Sequence, residues 1–184
     1  MSPIRLRNAR WYVVQGGAHS ILNHHQHVPA QRYALDITVL GADGRRADGL
    51  NPPDLSSYFA YGVPVTAPCD GVVVSVNTSA ADQRIGTTNA EHPVGNYIAI
   101  ACNGYTIVIA HLQPGSIGLQ LDDPVQAGAT LGRIGNSGNT SEPHLHIHAV
   151  AGVERSTERL VFAGVGVPLF LDGEFLVRGQ TGPQ

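Results

Sequence analysis

Between "NYIAIAC" (96–102) and "YTIVIAHL" (105–112) stand only two residues, Asn103 and Gly104. Both accept positive φ, as a two-residue hairpin connection requires, so the stretch predicts two antiparallel strands joined by a tight turn. The same texture runs along the whole chain, where 22 glycines and 12 prolines punctuate short runs rich in Val, Ile and Tyr. An all-β domain with little helix follows. Strands read at 10–15, 32–40, 62–68, 71–77, 96–102, 105–112, 129–135, 144–150 and 167–172. "NPPDLSSYFAYG" (51–62) is the one candidate for a short helix or helical turn, and 78–95 reads as a polar loop.

No repeat or shift in composition divides the chain, and 184 residues with 42% hydrophobic and 14% charged suit one domain with a real core. A net charge of −3 and the absence of any Lys/Arg run leave no basic surface for nucleic acid or anionic lipid. No stretch approaches the roughly 18 apolar residues that span a bilayer, and "MSPIRLRNARWYVVQGG" lacks the features of a signal peptide. The chain is therefore expected to carry no transmembrane segment or export signal of its own, with periplasm or cell envelope as its compartment if a leader or anchor has been removed. A monomer is the simplest state. Cys69 and Cys102 are too few for a disulfide framework and lack zinc-ribbon spacing; one bridge or two buried thiols both remain open, with thiols preferred.

Three of the nine histidines fall at alternate positions in "SEPHLHIHAV" (141–150). In a strand, His144, His146 and His148 share one face while Leu145, Ile147 and Ala149 take the other. At about 3.3 Å per residue, neighbours are roughly 6–7 Å apart and the outer pair about 13 Å, so adjacent imidazoles can serve one metal but all three cannot. A polar, solvated sheet face is the plain alternative. Imidazole is the commonest protein ligand for zinc, and a nearby carboxylate would complete a catalytic site.

Asp36 in "YALDI" is the first candidate for that carboxylate. It shares a face with Ala34 and Thr38, and an acid inside a strand is costly without a partner. A metal supplies one; a salt bridge to Arg32 is the alternative. Upstream, "LNHHQH" brings His24, His25 and His27 close in sequence to Asp36, as ligands or as a surface accident.

"YALDI", "APCDGVV" (67–73), "AHLQPGS" (110–116) and "GNSGNTSEPHLHIH" (135–148) occur in an order and spacing that resemble the LytM and lysostaphin-like metallopeptidases of family M23. The likeness covers about residues 11–175. It implies a mostly antiparallel sheet groove of the duplicated-hybrid-motif kind, one catalytic Zn²⁺, and hydrolysis of the stem or cross-bridge peptides of bacterial peptidoglycan. Carried over by motif, Asp36 and His146 resemble zinc ligands, and His144 and His111 resemble the catalytic histidines.

One departure stands out. The family writes its first ligands as His, three residues, then Asp; here the residue four before Asp36 is Arg32, and a guanidinium cannot bind zinc. An upstream loop folding back could present a replacement, with His25 preferred over His24 and His27. At position 148, where the family more often has an acidic or amide residue, His148 is expected to orient a neighbouring ligand from outside the metal's own ligand set.

Two histidines and one aspartate leave zinc a fourth position for water, and zinc brings the pKa of that water from about 15.7 toward 7. Either His144 or His111 then suits the general base, the other donating to the oxyanion. Two further readings compete. A catalytically silent LytM-like domain that binds wall peptide or activates a partner hydrolase draws on Arg32. A phosphocarrier or biotinyl-type domain of similar fold draws on the histidines, but the chain has no lysine, which excludes the biotinyl version.

Overall fold

The Asn103–Gly104 turn forms with φ of 49° and 83°, and the strands it joins lie at the centre of the molecule. The structure is a computed structural model and describes residues 10–152, 163–171 and 173–182. Its strands are β1 (Arg10–Gln15), β2 (Leu35–Leu40), β3 (Pro64–Thr66), β4 (Gly71–Asn77), β5 (Asn96–Cys102), β6 (Tyr105–Leu112), β7 (Pro124–Val125), β8 (Thr130–Arg133), β9 (Leu145–Ala151), β10 (Gly166–Val167), β11 (Phe170–Leu171) and β12 (Glu174–Phe175). The main sheet runs β1-β2-β9-β6-β5-β4-β7 with β10 added beside β9; β3-β8 and β11-β12 form two small sheets. Every pairing is antiparallel.

The long strands match the sequence pattern, and the differences have local causes. The segment expected at 32–40 begins only at Leu35, because 3-10 turns over His24–His27 and Pro29–Gln31 precede it and Arg32 keeps αR geometry. The strand expected at 167–172 is divided between β10 and β11, and its last residue, Asp172, lies outside the described residues. The two-residue strands β7 and β12 are too short to show alternation. The candidate helix at 51–62 is a single 3-10 turn, Leu55–Ser57.

The main sheet has two unlike faces. Leu35, Ile37, Ile98, Ile100, Ile107, Ile109, Leu145 and Ile147 join Val65 and Leu131 of the β3-β8 pair in one large buried cluster. Removing each such side chain from water contributes about 1.5–3 kcal/mol before chain entropy is subtracted. The opposite face carries a smaller apolar cluster that includes Tyr97, Ala99, Val108 and Ala110. Register places Ala110 beside His146 and Val108 beside His148, so this second face is the one that holds the histidines.

The preference for free thiols is corrected. Cys69 and Cys102 form a disulfide with a Cα–Cα distance of 6.3 Å. The pairing of β4 with β5, which sets Val72 opposite Ala101, brings the two cysteines together, and only that register reveals it. Among the described residues no helix is long and apolar enough to cross a membrane.

Candidate metal and catalytic centre

Asp36 and His146 are direct cross-strand partners on β2 and β9. The Asp36 Oδ1 and His146 Nδ1 atoms are 2.9 Å apart, and both residues are buried. The histidine face is thus not a solvated surface. His146 Nε2, on the other edge of the ring, meets His148 Nδ1 at 3.0 Å.

The segment before residue 30 folds back onto the same carboxylate. Its anchor is Asn23, fully buried, whose Nδ2 donates to the carbonyls of Gly17 and Ala34 while its Oδ1 caps the next turn by accepting from the His25 N–H. That turn aims His25 Nε2 at Asp36 Oδ2, 2.9 Å away. Arg32 is turned outward and exposed, its guanidinium carbon 5.3 Å from the centre of the Tyr33 ring. The salt bridge considered for Arg32 and Asp36 is therefore replaced by imidazole contacts. His24 and His27 are exposed. The ligand atoms of His24, His25 and Asp36 do lie within 4.8 Å of one another, so spacing alone would admit His24. The buried, direct contact of His146 with the carboxylate makes it the better third donor.

His111 reaches the site through an irregularity the sequence does not announce. Between the pairs Asn96–Leu112 and Ile98–Ile109, β5 has one residue and β6 has two, Ala110 and His111. Such a bulge re-aims a side chain, and His111 adopts φ of 60°, unusual for a residue with a Cβ. By strict alternation the imidazole would join Ile109 in the apolar core; instead its ring centre lies 4.8 Å from that of His144 and 5.7 Å from that of His146.

One stretch, the 135–141 loop and the adjoining Glu142, fixes both outer histidines. His111 Nδ1–H donates to the Ser137 carbonyl at 2.8 Å, and His144 Nδ1–H donates to the Glu142 carbonyl at 2.9 Å beside the Thr140 hydroxyl. In each ring Nδ1 is thereby committed to a backbone carbonyl, leaving Nε2 for other contacts. His144 Nε2 stands 3.7 Å from Asp36 Oδ1. The loop is held in turn by Asp82, which accepts from the Asn136 N–H and the Tyr61 hydroxyl. The Ser137 hydroxyl donates to the Leu112 carbonyl and accepts from the Asn96 N–H. Gly95 (φ 60°) packs so closely on the Ser137 backbone that a Cβ there would clash with its carbonyl, so loops 78–95 and 135–141 form one wall. Sequence reading missed Asn23, Ser137, Thr140 and Asp82 as supports. The only signal was polar residues in glycine-rich segments, which usually mean exposed turns.

Electrostatics follow from burial and crowding. Burial by itself would raise the Asp36 pKa, but His144 nearby and the hydrogen-bonded His146 and His25 together hold it well below the usual carboxylate range. His111 is held well below its ordinary value, first by burial and then by His144 and His146. His146 is pushed down to about 4, again chiefly by burial, against the pull of Asp36. Burial and then His25 lower His24. Asp36 is thus favoured as the ionised carboxylate, and His111 and His146 as neutral imidazoles.

That donor set suits zinc. In a tetrahedral site with Zn–N near 2.0–2.1 Å, ligand atoms stand about 3.3 Å apart. His25 Nε2 and His146 Nδ1 each lie 2.9 Å from a separate Asp36 oxygen, and their ring centres are 4.8 Å apart, so both imidazoles border the same carboxylate. Two imidazoles and one carboxylate leave the fourth position open.

The model for Peptidase family M23 matches residues 56–156, more than half of the chain. The chain belongs to peptidase family M23. The matched span of this M23 protein contains His111, His144 and His146, whereas His25 and Asp36 lie upstream of it. Among solved structures, it is similar to the catalytic domain of the antimicrobial peptidase lysostaphin from Staphylococcus simulans, at 19% identity over 86% of this chain and 90% of that one, with a TM-score of 0.48. The M23 metalloprotease pseudoalterin from the deep sea gives 19% identity, 85% and 73% coverage and a TM-score of 0.48. A zinc-containing peptidase from Vibrio cholerae gives 20%, 64% and 46%, and 0.39. Among curated proteins no match is found.

Proposed function

We propose that this M23 protein, a single peptidase domain over residues 1–184 with its core at about 11–175, is a zinc-dependent endopeptidase that hydrolyses the peptide cross-links of bacterial peptidoglycan. The observation that carries the reading is the contact of His25 and His146 with the two oxygens of the buried Asp36 carboxylate, with the imidazoles of His144 and His111 beside them. The substrate class rests on family membership and on the "GNSGNTSEPHLHIH" and "AHL" resemblance.

His25, Asp36 and His146 would hold the ion. Bound there, zinc supplies an acidified water and a Lewis acid for the scissile carbonyl. His111 is kept neutral by burial, and its Nδ1–H is committed to the Ser137 carbonyl, so Nε2 is the basic nitrogen available to take the proton of the attacking water. His144, anchored through Nδ1, presents Nε2 toward Asp36; in its doubly protonated form it would keep Nδ1–H on the Glu142 carbonyl, hydrogen-bond the developing oxyanion from Nε2–H and then pass that proton to the leaving amine. The joined loops 78–95 and 135–141 wall the cleft, where substrate contacts are commonest. The silent-domain alternative depended on Arg32 spoiling the centre, and that side chain is turned outward.

The test combines metal analysis with release of peptides from purified peptidoglycan. Wild type should bind one zinc per chain and cut. His111→Ala and His144→Ala should each abolish turnover with zinc retained, whereas Asp36→Ala and His146→Ala should lose the ion. Zinc-loaded protein that leaves peptidoglycan intact refutes the substrate, and loss of zinc from both outer-histidine variants refutes the division of labour.

A further inference from the structure

His148 lies two residues beyond His146 on the same face of β9, opposite Val108 of β6, and is 1% exposed. A β-branched apolar residue would fit such a position more cheaply, because a buried imidazole needs hydrogen-bond partners. One partner is defined: His148 Nδ1 lies 3.0 Å from His146 Nε2.

The consequence lies in which His146 nitrogen faces the carboxylate. Nδ1 points at Asp36, so an ion held by His25, Asp36 and His146 takes the Nδ1 lone pair, and the ring proton must sit on Nε2. His148 Nδ1 then accepts it. Without an ion, Asp36 accepts the His146 Nδ1–H, and His146 Nε2 becomes the acceptor for a proton from His148 Nδ1. A neutral imidazole can take either part, and the number of protons on the pair is the same in both arrangements. A carboxylate at 148 could only accept.

We propose that His148 is a positioning residue for the metal: it fixes the orientation and tautomer of His146 through the Nδ1–Nε2 hydrogen bond. The inference rests on the zinc reading above. Outer partners of this kind change metal affinity by 10–100-fold when lost.

The experiment measures zinc affinity of the full chain by competition with a chromophoric chelator, alongside the visible spectrum of the cobalt(II)-substituted protein. His148→Leu should weaken zinc binding about 10–100-fold and alter the cobalt bands. His148→Asn, whose Oδ1 falls where Nδ1 was, should restore both toward wild type. His148→Gln carries its carbonyl one methylene too far and should behave like the leucine variant, standing in for it if leucine impairs folding. Wild-type affinity in the Leu and Gln variants overturns the proposal and leaves the zinc reading intact. Equal loss in Asn, Leu and Gln also overturns it, since His148 would then act by packing alone. A wild-type chain that takes up no zinc removes both readings.

Discussion

Strand β9 carries two kinds of burial side by side. Leu145 and Ile147 are 0% exposed on one face of the sheet, and His146 and His148 are 3% and 1% exposed on the other. The aliphatic pair is held by area and close packing, which any side chain of similar volume partly supplies. The imidazole pair is tolerated only because each ring nitrogen of His146 meets a named atom, Asp36 Oδ1 on one edge and His148 Nδ1 on the other. Equal exposure therefore hides opposite sensitivities: one face resists changes of volume, the other changes of hydrogen-bonding character.

The comparison breaks most sharply at Asp36. Asp36→Ala is expected to remove zinc and with it all measurable turnover, read by metal analysis and a peptidoglycan digest, while Ile147→Ala leaves kcat close to wild type. On stability the order reverses. Ile147→Ala should cost about 2–5 kcal/mol, read as a lower urea midpoint; a loss below about 1 kcal/mol would mean that the apolar face is looser than its burial implies.

Asn23→Ala should come next, at roughly 1–3 kcal/mol for buried groups left unpaired. It should also weaken zinc binding, because the turn that presents His25 loses its bracket. Zinc affinity unchanged in this variant would detach His25 from the metal.

The histidine face should show itself in pH. In chelator-treated protein, His146 is held down to about 4 and His111 well below its ordinary value, whereas both titrate near 6.5 when unfolded. The unfolded chain then binds more protons than the folded one below about 6.5, so this stability is complete above that pH and is lost as pH falls toward about 4. Urea midpoints should decline over that window, and Ile147→Ala should lower the curve without changing its shape. A flat profile would mean that these rings are not buried neutral. The smallest effect belongs to the exposed Arg46–Glu142 pair, where Arg46→Ala should shift stability by no more than about 1 kcal/mol.

Much of this was legible in the chain. Short Val/Ile/Tyr-rich runs between turn residues matched β1, β4, β5 and β6 to the residue, and the alternation in 144–148 put the three histidines on one face; that this face is also Asp36's depends on the β2–β9 register. That guanidinium cannot ligate zinc pointed upstream of Arg32 to the 24–27 segment. His25 was already preferred there over His24 and His27, but the 3-10 turn and the buried Asn23 that turn it to Asp36 leave no periodic trace. The His111 bulge was illegible because it depends on a one-residue mismatch between two strands. The disulfide depended on the β4–β5 register, a relation between segments that no local pattern records.

Anchoring both outer histidines to residues 135–142 has a mechanical consequence. Because His111 hangs from the Ser137 carbonyl and His144 from the Thr140–Glu142 end, a displacement of that stretch carries the two rings together, so their separation survives a disturbance that moves them both relative to Asp36. The two rings are toleranced as a single part, and their alignment error is common to both.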